Sequence, residues 1–202
     1  MSDTNSPSFW ESIYKSGRTG WDLGRPTPVF QRLAVSEYFE TGNMLVLCAG
    51  HGHDARMFAR HGFEVTAVDF ASDAVQAMYS LDDPQTPLEI LQIDLFNMPP
   101  HLEGQFDYVL EYTCFCAIDP KRRTEYVMHV TRLLKTCGIY IALAFPIKEY
   151  TGGPPYAVSS DELVNPFIQQ GFVLLHREIP SDSIPGRRGI EELIILRKMP
   201  PE

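Results

Sequence analysis

Short apolar runs recur along the chain, separated by polar or amphipathic segments. Seven of these runs are rich in branched and aromatic residues, which indicates buried strands. They span residues 43–50, 63–70, 88–96, 106–113, 138–146, 171–179 and 190–198. The first run, NMLVLCAG, is apolar almost throughout and stops at glycine, as expected of a strand that is covered on both faces.

Helical segments occupy most of the intervals between these strands. Asp119 can cap one helix, with Pro120 at its first position, and Ser72 can cap another. The last helix is the weakest prediction, because Pro166 falls inside it. The predicted helices span residues 28–39, 53–62, 72–80, 119–136 and 160–170.

This alternation of strand and helix predicts an α/β fold with a mainly parallel sheet and helices on both faces. Only a loop separates the last two strands, so these strands are expected to pair antiparallel. A chain of 202 residues has the size of one domain. We predict a single domain over 1–202, in which residues 1–42 form an N-terminal arm and helix.

Composition and charge narrow the range of partners. The net charge of −9 argues against nonspecific binding to nucleic acid or to anionic membranes. No apolar run reaches the length of a membrane span, and the N-terminus lacks the features of a signal peptide, which predicts a cytoplasmic protein. We expect a monomer or weak dimer that acts on a small molecule.

The turn after the first strand has the features of a ligand-binding loop. Gly50 and Gly52 let the backbone approach a ligand without a Cβ clash. Asp69 ends the second strand, where a carboxylate can accept both hydroxyls of a ribose, and Asp94 ends the third, near an adenine edge. These residues predict a nucleoside site. The alternative is that both aspartates only cap strand ends.

Two features of this loop argue against a dinucleotide. Asp54 is expected in the first turn of the next helix, where its charge satisfies the helix dipole and repels a pyrophosphate. The third glycine of the G-x-G-x-x-G pattern is also absent. A nucleoside cofactor without phosphate, S-adenosylmethionine, fits better. An NAD-dependent oxidoreductase and a noncatalytic protein that only binds S-adenosylmethionine are the competing interpretations.

Several motifs together resemble the thiopurine S-methyltransferase superfamily, and most of all its branch of halide, thiocyanate and thiol methyltransferases. They are GRTGWDLGRPTP, AGHGHDA, VDFA, IDLF, FDYVLEYTCFCAIDPKRR and GGPPY. The resemblance implies a class I methyltransferase fold, which is Rossmann-like, with a seven-stranded, mostly parallel sheet and an N-terminal lid arm. It also implies S-adenosylmethionine as the cofactor.

The resemblance also assigns residues to the cofactor. Gly50 and Gly52 would approach its methionine part, and Asp69 its ribose. The adenine would lie beside Asp94 and Leu95. Further residues are expected beside the cofactor or in the lid that closes over it, namely Glu111, Tyr112, Thr113, Trp10, Trp21 and Leu23. His51 departs from the family, which commonly has glycine there.

Methyl transfer from a sulfonium is an in-line displacement that needs alignment and exclusion of water more than a strong base. Tyr156 is the expected hydrogen-bond donor to the acceptor, and Asp22 is expected to orient a water or accept a proton. The walls of the acceptor pocket are predicted to be Tyr112, Phe115, Pro154, Pro155 and Tyr156. The roles of His51, Arg123, Arg187 and Arg188 stay open, as does the identity of the acceptor.

No cluster of metal ligands is evident in the sequence, and no metal is expected. The spacing of the cysteines matches no common zinc pattern, so reduced and mostly buried thiols are predicted. These cysteines are Cys48, Cys114, Cys116 and Cys137. Cys114 and Cys116 are expected to be packing residues, since the displacement needs no covalent intermediate.

Overall fold

A computed structural model describes residues 4–81, 83 and 85–201 of the chain. Within them, seven strands form one sheet in the spatial order third, second, first, fourth, fifth, seventh, sixth. The strands are β1 (Asn43–Leu47), β2 (Glu64–Asp69), β3 (Glu89–Gln92), β4 (Phe106–Tyr112), β5 (Leu134–Ala144), β6 (Phe172–Glu178) and β7 (Glu192–Lys198).

The strand directions match the prediction. Strands β1 to β5 pair in parallel, and β7 is antiparallel to both of its neighbours, β5 and β6. The last two strands therefore pair as expected, but β7 inserts between β5 and β6 and leaves β6 at the edge.

Six α-helices flank the sheet within the described residues. They are α1 (Pro7–Lys15), α2 (Pro28–Ala34), α3 (His53–Arg60), α4 (Ser72–Ser80), α5 (Arg123–Leu133) and α6 (Ser160–Gln169). None of these helices combines the length and the apolar character that crossing a membrane requires. α2, α3 and α4 pack on one face of the sheet, while α5 and α6 pack on the other.

The strand pleat distributes the core between these two layers. Leu45 and Leu47 of β1 join the core beneath α5 and α6, whereas Met44 and Val46 join the core beneath α2, α3 and α4. All four side chains are buried. A strand that is buried on both faces explains the continuous apolar run in the sequence.

The arm contains a helix, α1, that the sequence analysis did not predict. Pro7 occupies its first position, where a missing backbone N–H costs nothing. The carboxylate of Glu11 accepts a hydrogen bond from the Ser72 hydroxyl at 2.9 Å, which ties α1 to α4. Ser72 is the first residue of α4, and Ala71 is the N-cap residue, so the predicted role of Ser72 as the cap is wrong. Its hydroxyl instead contacts the arm.

Two predicted helix boundaries are also wrong. The helix predicted over 28–39 ends at Ala34, and the helix predicted to reach residue 136 ends at Leu133. β5 begins at once with Leu134, which is buried and pairs with Phe106 of β4. The sheet contact and the burial of Leu134 outweigh the local helical pattern at this point.

Candidate active site

A cavity of about 700 Å³ opens at the carboxyl ends of the parallel strands. The arm and α1 cover it on one side, and the loops around residues 145–155 and 186–187 close it on the other. Its lining includes Trp10, Trp21, Asp69, Asp94, Leu95, Thr113, Pro154, Pro155 and Arg187. This is the place where ligands bind in open α/β sheets.

A second, smaller cavity of about 60 Å³ lies where the arm meets the glycine loop. Trp21, Cys48 and Thr113 line both cavities, so the two are adjacent. The predicted residues on its wall are Asp22, Leu23, Gly50 and Tyr112. The structure thus brings the arm and the glycine loop together, as the resemblance implies.

The glycines of the loop are required by its backbone. Gly50 has φ +56° and Gly52 has φ +74°, in the left-handed region that favours glycine. A Cβ on Gly52 would lie 2.9 Å from Cγ of Met78. Gly52 is the N-cap residue of α3 and is buried against α4, so it shapes the loop. It is not one of the described residues that line the two cavities.

Asp69, the last residue of β2, and Asp94, two residues after β3, line the large cavity and also cap backbone. The buried carboxylate of Asp69 accepts hydrogen bonds from Gly50 N and Ala71 N, each at 3.0 Å. Burial raises the pKa of Asp69, and these hydrogen bonds oppose the rise. Asp94 accepts from Phe96 N at 3.0 Å and is less enclosed. Capping and ligand contact are therefore compatible at both positions.

Aromatic side chains from the arm form the roof of the site. The ring centroids of Trp10 and Trp21 lie 5.6 Å apart, edge to face, and those of Tyr14 and Trp21 lie 5.5 Å apart. Tyr14 was not among the predicted site residues, although its spacing of four residues from Trp10 would place both on one face of a helix. Burial raises the pKa of Tyr14 well above its ordinary value, so this phenol stays neutral.

Two predicted site residues turn away from both cavities. Glu111 is buried, and its carboxylate accepts from the backbone N–H groups of Cys114 and Phe115 at 3.2 and 3.0 Å. Burial raises its pKa to about 7. Phe115 is also buried, with the guanidinium of Arg123 4.6 Å from its ring centroid. Neither residue is among the described residues that line the two cavities, and their predicted contacts with cofactor and acceptor stay predictions.

The loop predicted to carry the acceptor reaches the cavity with its prolines. Pro154 and Pro155 line the cavity, whereas Tyr156 is not among the described residues that do so. The Tyr156 ring packs so closely over Gly153 that a Cβ there would lie 2.4 Å from it. Its backbone N–H donates to the carbonyl of Cys116 at 2.7 Å, which fixes this loop to the turn after β4.

Arg187 is the cation at this end of the cavity. Its side chain is buried and donates to the hydroxyl of Tyr112, which in turn donates to Glu191. It also donates to the carbonyl of Gly20 at 3.0 Å, and its charge lies 4.7 Å from the ring centroid of Phe145. The arginine therefore connects the arm, β4 and the loop before β7. Burial, with the nearby Glu191, raises the pKa of Tyr112.

The cysteines near the cavity depart from the expectation of reduced thiols. Cys48 and Cys114 are joined in a disulfide, although 66 residues separate them in sequence. They follow the neighbouring strands β1 and β4, which brings their Cα atoms to 5.5 Å. Cys116 is free and buried, and burial raises the pKa of its thiol. Cys137 is free but exposed, which also differs from the expectation of burial.

Asp54 occupies the first turn of α3, as predicted. Its carboxylate accepts from the N–H of Thr27 at 2.7 Å and from the Thr27 hydroxyl at 2.8 Å. Burial raises its pKa to about 6. The start of α3 is thus occupied by the arm and by an acid, which leaves it a poor site for a pyrophosphate.

Asp22 meets two histidines of the glycine loop. One carboxylate oxygen lies 2.6 Å from Nδ1 of His51, and the other lies 3.3 Å from Nε2 of His53. One potential ligand atom from each of the three residues falls within 4.8 Å of the others. This arrangement corrects the expectation that the chain has no cluster of metal ligands. Sequence spacing did not show it, because the arm supplies one of its members.

Comparison with known proteins gives relatives along nearly the whole chain. Residues 5–183 match the family described as Thiopurine S-methyltransferase (TPMT). A protein of Arabidopsis thaliana named "Probable thiol methyltransferase 2" is 34% identical over 192 residues, which cover 94% of this chain and 84% of the relative. "Thiocyanate methyltransferase 1" of Brassica oleracea is 31% identical over 196 residues, covering 96% and 86%.

A solved structure supports the fold. It is the crystal structure of the 1,6-didemethyltoxoflavin-N1-methyltransferase of Burkholderia thailandensis with bound 1,6-didemethyltoxoflavin and S-adenosylhomocysteine. Its similarity to this chain has a TM-score of 0.74 at 18% sequence identity. The match covers 96% of this chain and 87% of that one. These findings confirm the predicted class I methyltransferase fold. Because the family match spans most of the chain, the protein belongs to the thiopurine S-methyltransferase family and is a methyltransferase of its S-adenosylmethionine-dependent class.

Proposed function

We propose that this protein transfers a methyl group from S-adenosylmethionine to a small, soft nucleophile by in-line displacement. The acceptor class comprises thiols, thiopurines, thiocyanate, halides and selenium compounds. One observation carries the proposal: a single cavity is lined both by carboxylates suited to a nucleoside, Asp69 and Asp94, and by the buried Arg187. Cofactor and acceptor can therefore meet inside one enclosure.

The residues at the first end fit the cofactor. The carboxylate of Asp69 faces the cavity from a buried position, where it can accept from ribose hydroxyls. Asp94 and Leu95 line the part of the cavity that suits the adenine, and Trp10 and Trp21 cover it. Gly50 leaves space beside Trp21 and Leu23 for the methionine part. When bound, S-adenosylmethionine supplies an electrophilic methyl group on a good leaving group.

The residues at the second end fit a small anion. Arg187 places its guanidinium in a buried position beside the cavity, where screening by water is weak, with Glu191 3.8 Å away. It attracts thiolates, halides and thiocyanate, and Phe145 with Pro154 and Pro155 excludes water from them. Such acceptors need no strong base. Tyr112 reaches the site indirectly, because its hydroxyl bonds the guanidinium of Arg187.

Tyr156 and Asp22 keep their proposed catalytic roles, but neither side chain lines the large cavity, so neither contacts the acceptor directly. Tyr156 would act on the acceptor after its ring turns from Gly153 toward the cavity. Asp22 would accept a proton from a neutral thiol through water, since it lines the smaller cavity. A Tyr156→Phe variant that keeps full activity on iodide and thiols removes the first role.

The decisive experiment is calorimetric titration with S-adenosylhomocysteine, with NAD as the control. We expect micromolar binding of S-adenosylhomocysteine and none of NAD. Headspace gas chromatography should then detect methylated product from iodide, thiocyanate or a thiol. Binding of NAD alone would revive the oxidoreductase interpretation. Binding of S-adenosylhomocysteine without turnover on any of these acceptors would instead favour a noncatalytic binding protein.

A further inference from the structure

Asp22, His51 and His53 form a compact group of donors on the wall of the smaller cavity and do not line the larger one. Asp22 belongs to the arm, and both histidines belong to the glycine loop that precedes and begins α3. The distances from the carboxylate to the two imidazoles are 2.6 and 3.3 Å. With one ligand atom from each residue, all three atoms lie within 4.8 Å of one another.

The backbone aims these side chains at a common point. Gly50 and Gly52 adopt positive φ on either side of His51, and Gly52 caps the helix that begins at His53. Asp22 is held in turn, because its carboxylate accepts from Gly24 N at 2.8 Å. The ring of Tyr14 packs against His51 with centroids 5.7 Å apart. Contacts within the protein thus hold all three side chains in place.

The donor set suits a borderline transition metal. Two imidazole nitrogens and one carboxylate oxygen are ligands that Zn²⁺, Co²⁺ and Ni²⁺ accept, at bonds of about 2.0–2.2 Å. The side chains are about a fifth to a quarter exposed, so a fourth position stays open to water. The nearby Arg56 directs its guanidinium to the carbonyls of Leu81 and Met78.

We propose that Asp22, His51 and His53 bind one divalent transition-metal ion, of the Zn²⁺ class, that fastens the N-terminal arm to the glycine loop. With the ion bound, the carboxylate and the two imidazoles no longer contact one another directly. Each instead forms a coordination bond to the same metal ion. Since Trp21 is the residue before Asp22, the same ion fixes the aromatic roof over the cavity. The ion is structural, and while it is bound Asp22 serves as its ligand and no longer as the proton acceptor for a thiol.

The first test is calorimetric titration of the full-length protein with ZnCl₂ after removal of metals by EDTA. We expect saturable binding of one ion per chain. The affinity for Zn²⁺ should fall in each of the variants Asp22→Asn, His51→Gln and His53→Gln. The loss should exceed the roughly tenfold that follows removal of a residue that only hydrogen-bonds a metal ligand. His101→Gln, at an exposed histidine elsewhere, should leave the affinity unchanged. No saturable binding, or unchanged affinity in all three variants, would overturn the proposal.

Two further measurements separate the site from adventitious binding. Co²⁺ should give visible bands of nitrogen and oxygen ligation with no thiolate charge-transfer band, and a thiolate band would point to Cys137 and overturn the assignment. Zn²⁺ should slow tryptic cleavage after the exposed Arg18 in the arm of the wild type but not of Asp22→Asn. Equal cleavage with and without Zn²⁺ in the wild type would disprove the fastening of the arm. Circular dichroism of each variant confirms that it is folded.

Discussion

Burial raises the pKa of two carboxyl groups, those of Glu111 and Asp54, toward the neutral range. The pKa of Glu111 is raised to about 7 and that of Asp54 to about 6. Each group still accepts two hydrogen bonds, Glu111 from backbone N–H groups and Asp54 from the N–H and the hydroxyl of Thr27. A raised pKa in the folded state means that folding favours the protonated acid.

The stability of the fold should therefore fall as pH rises. The contribution of Glu111 is complete below its ordinary pKa of 4.5 and is lost as pH rises through about 7. Between pH 5 and pH 8 this loss is on the order of 2 kcal/mol. Glu111→Gln keeps an oxygen for the turn and should remove that part of the decline. Urea unfolding at both pH values measures it, and an unchanged slope would exclude Glu111 as the source.

Arg187 offers a second test at this scale. Arg187→Gln should raise KM for iodide or thiocyanate by about tenfold or more, because a buried cation facing an anion contributes more than about 1 kcal/mol. Arg188→Gln is a matched control, since Arg188 is the adjacent arginine and is exposed. Initial rates against acceptor concentration separate the two variants. Equal KM values would show that Arg187 only supports the arm.

The sequence predicts correctly the location of residues whose place depends on position along a strand. Asp69 and Asp94 line the cavity because one ends β2 and the other lies just after β3, and the apolar runs of the sequence predict both positions. Phe115 and Tyr156 could not be placed in the same way. Their side-chain directions depend on the turn after β4 and on the packing of Tyr156 over Gly153, which no periodic pattern encodes.

At the scale of elements, the arm is held to the rest of the fold by several separate contacts. Glu11 binds Ser72 of α4, Thr27 binds Asp54 of α3, and the carbonyls of Gly20 and Trp21 accept from Arg187. The arm helix itself buries none of its residues fully. It is therefore attached by polar contacts and aromatic edges, which are weaker than a packed core.

Shortening the aromatic roof should weaken cofactor binding more than it weakens the fold. Trp21→Ala should reduce affinity for S-adenosylhomocysteine by about tenfold or more, since an aromatic contact contributes about 1 kcal/mol beyond its buried area. Its unfolding midpoint should change little. Tyr38→Ala removes an aromatic side chain that is 90% exposed and should affect neither quantity. Calorimetry with thermal unfolding measures both, and parallel losses in Trp21→Ala would indicate a purely structural role.

The elements themselves were predicted well where strands were long and apolar. The boundary between α5 and β5 was not, because Leu134 gains a sheet partner that lies far away in sequence. The helix α1 was missed because its polar and aromatic residues suggested a loop. Its helical state depends on contacts to α4 that only the folded chain provides.

For the whole molecule, ligand binding and stability should be coupled. S-adenosylhomocysteine at a concentration of 100 Kd should stabilise the folded state by about 2.7 kcal/mol, since it binds only the folded chain. Tryptic cleavage at the exposed Arg18 should slow in parallel as the arm closes. Thermal unfolding and timed proteolysis check the two effects, with NAD as the control. Stabilisation without protection of the arm would mean that the arm does not respond to the cofactor.

The two ends of the cavity come from different parts of the chain. The strand ends and the arm build the nucleoside end, whereas Cys116, Ala117, Phe145, Pro154, Pro155, Gly186 and Arg187 build the other. Changes in the second set alter which nucleophile is accepted while leaving the cofactor end intact. Over evolutionary time, a lineage carrying this architecture can therefore exchange one acceptor for another by mutating short connecting segments, and inherit its methyl donor unchanged.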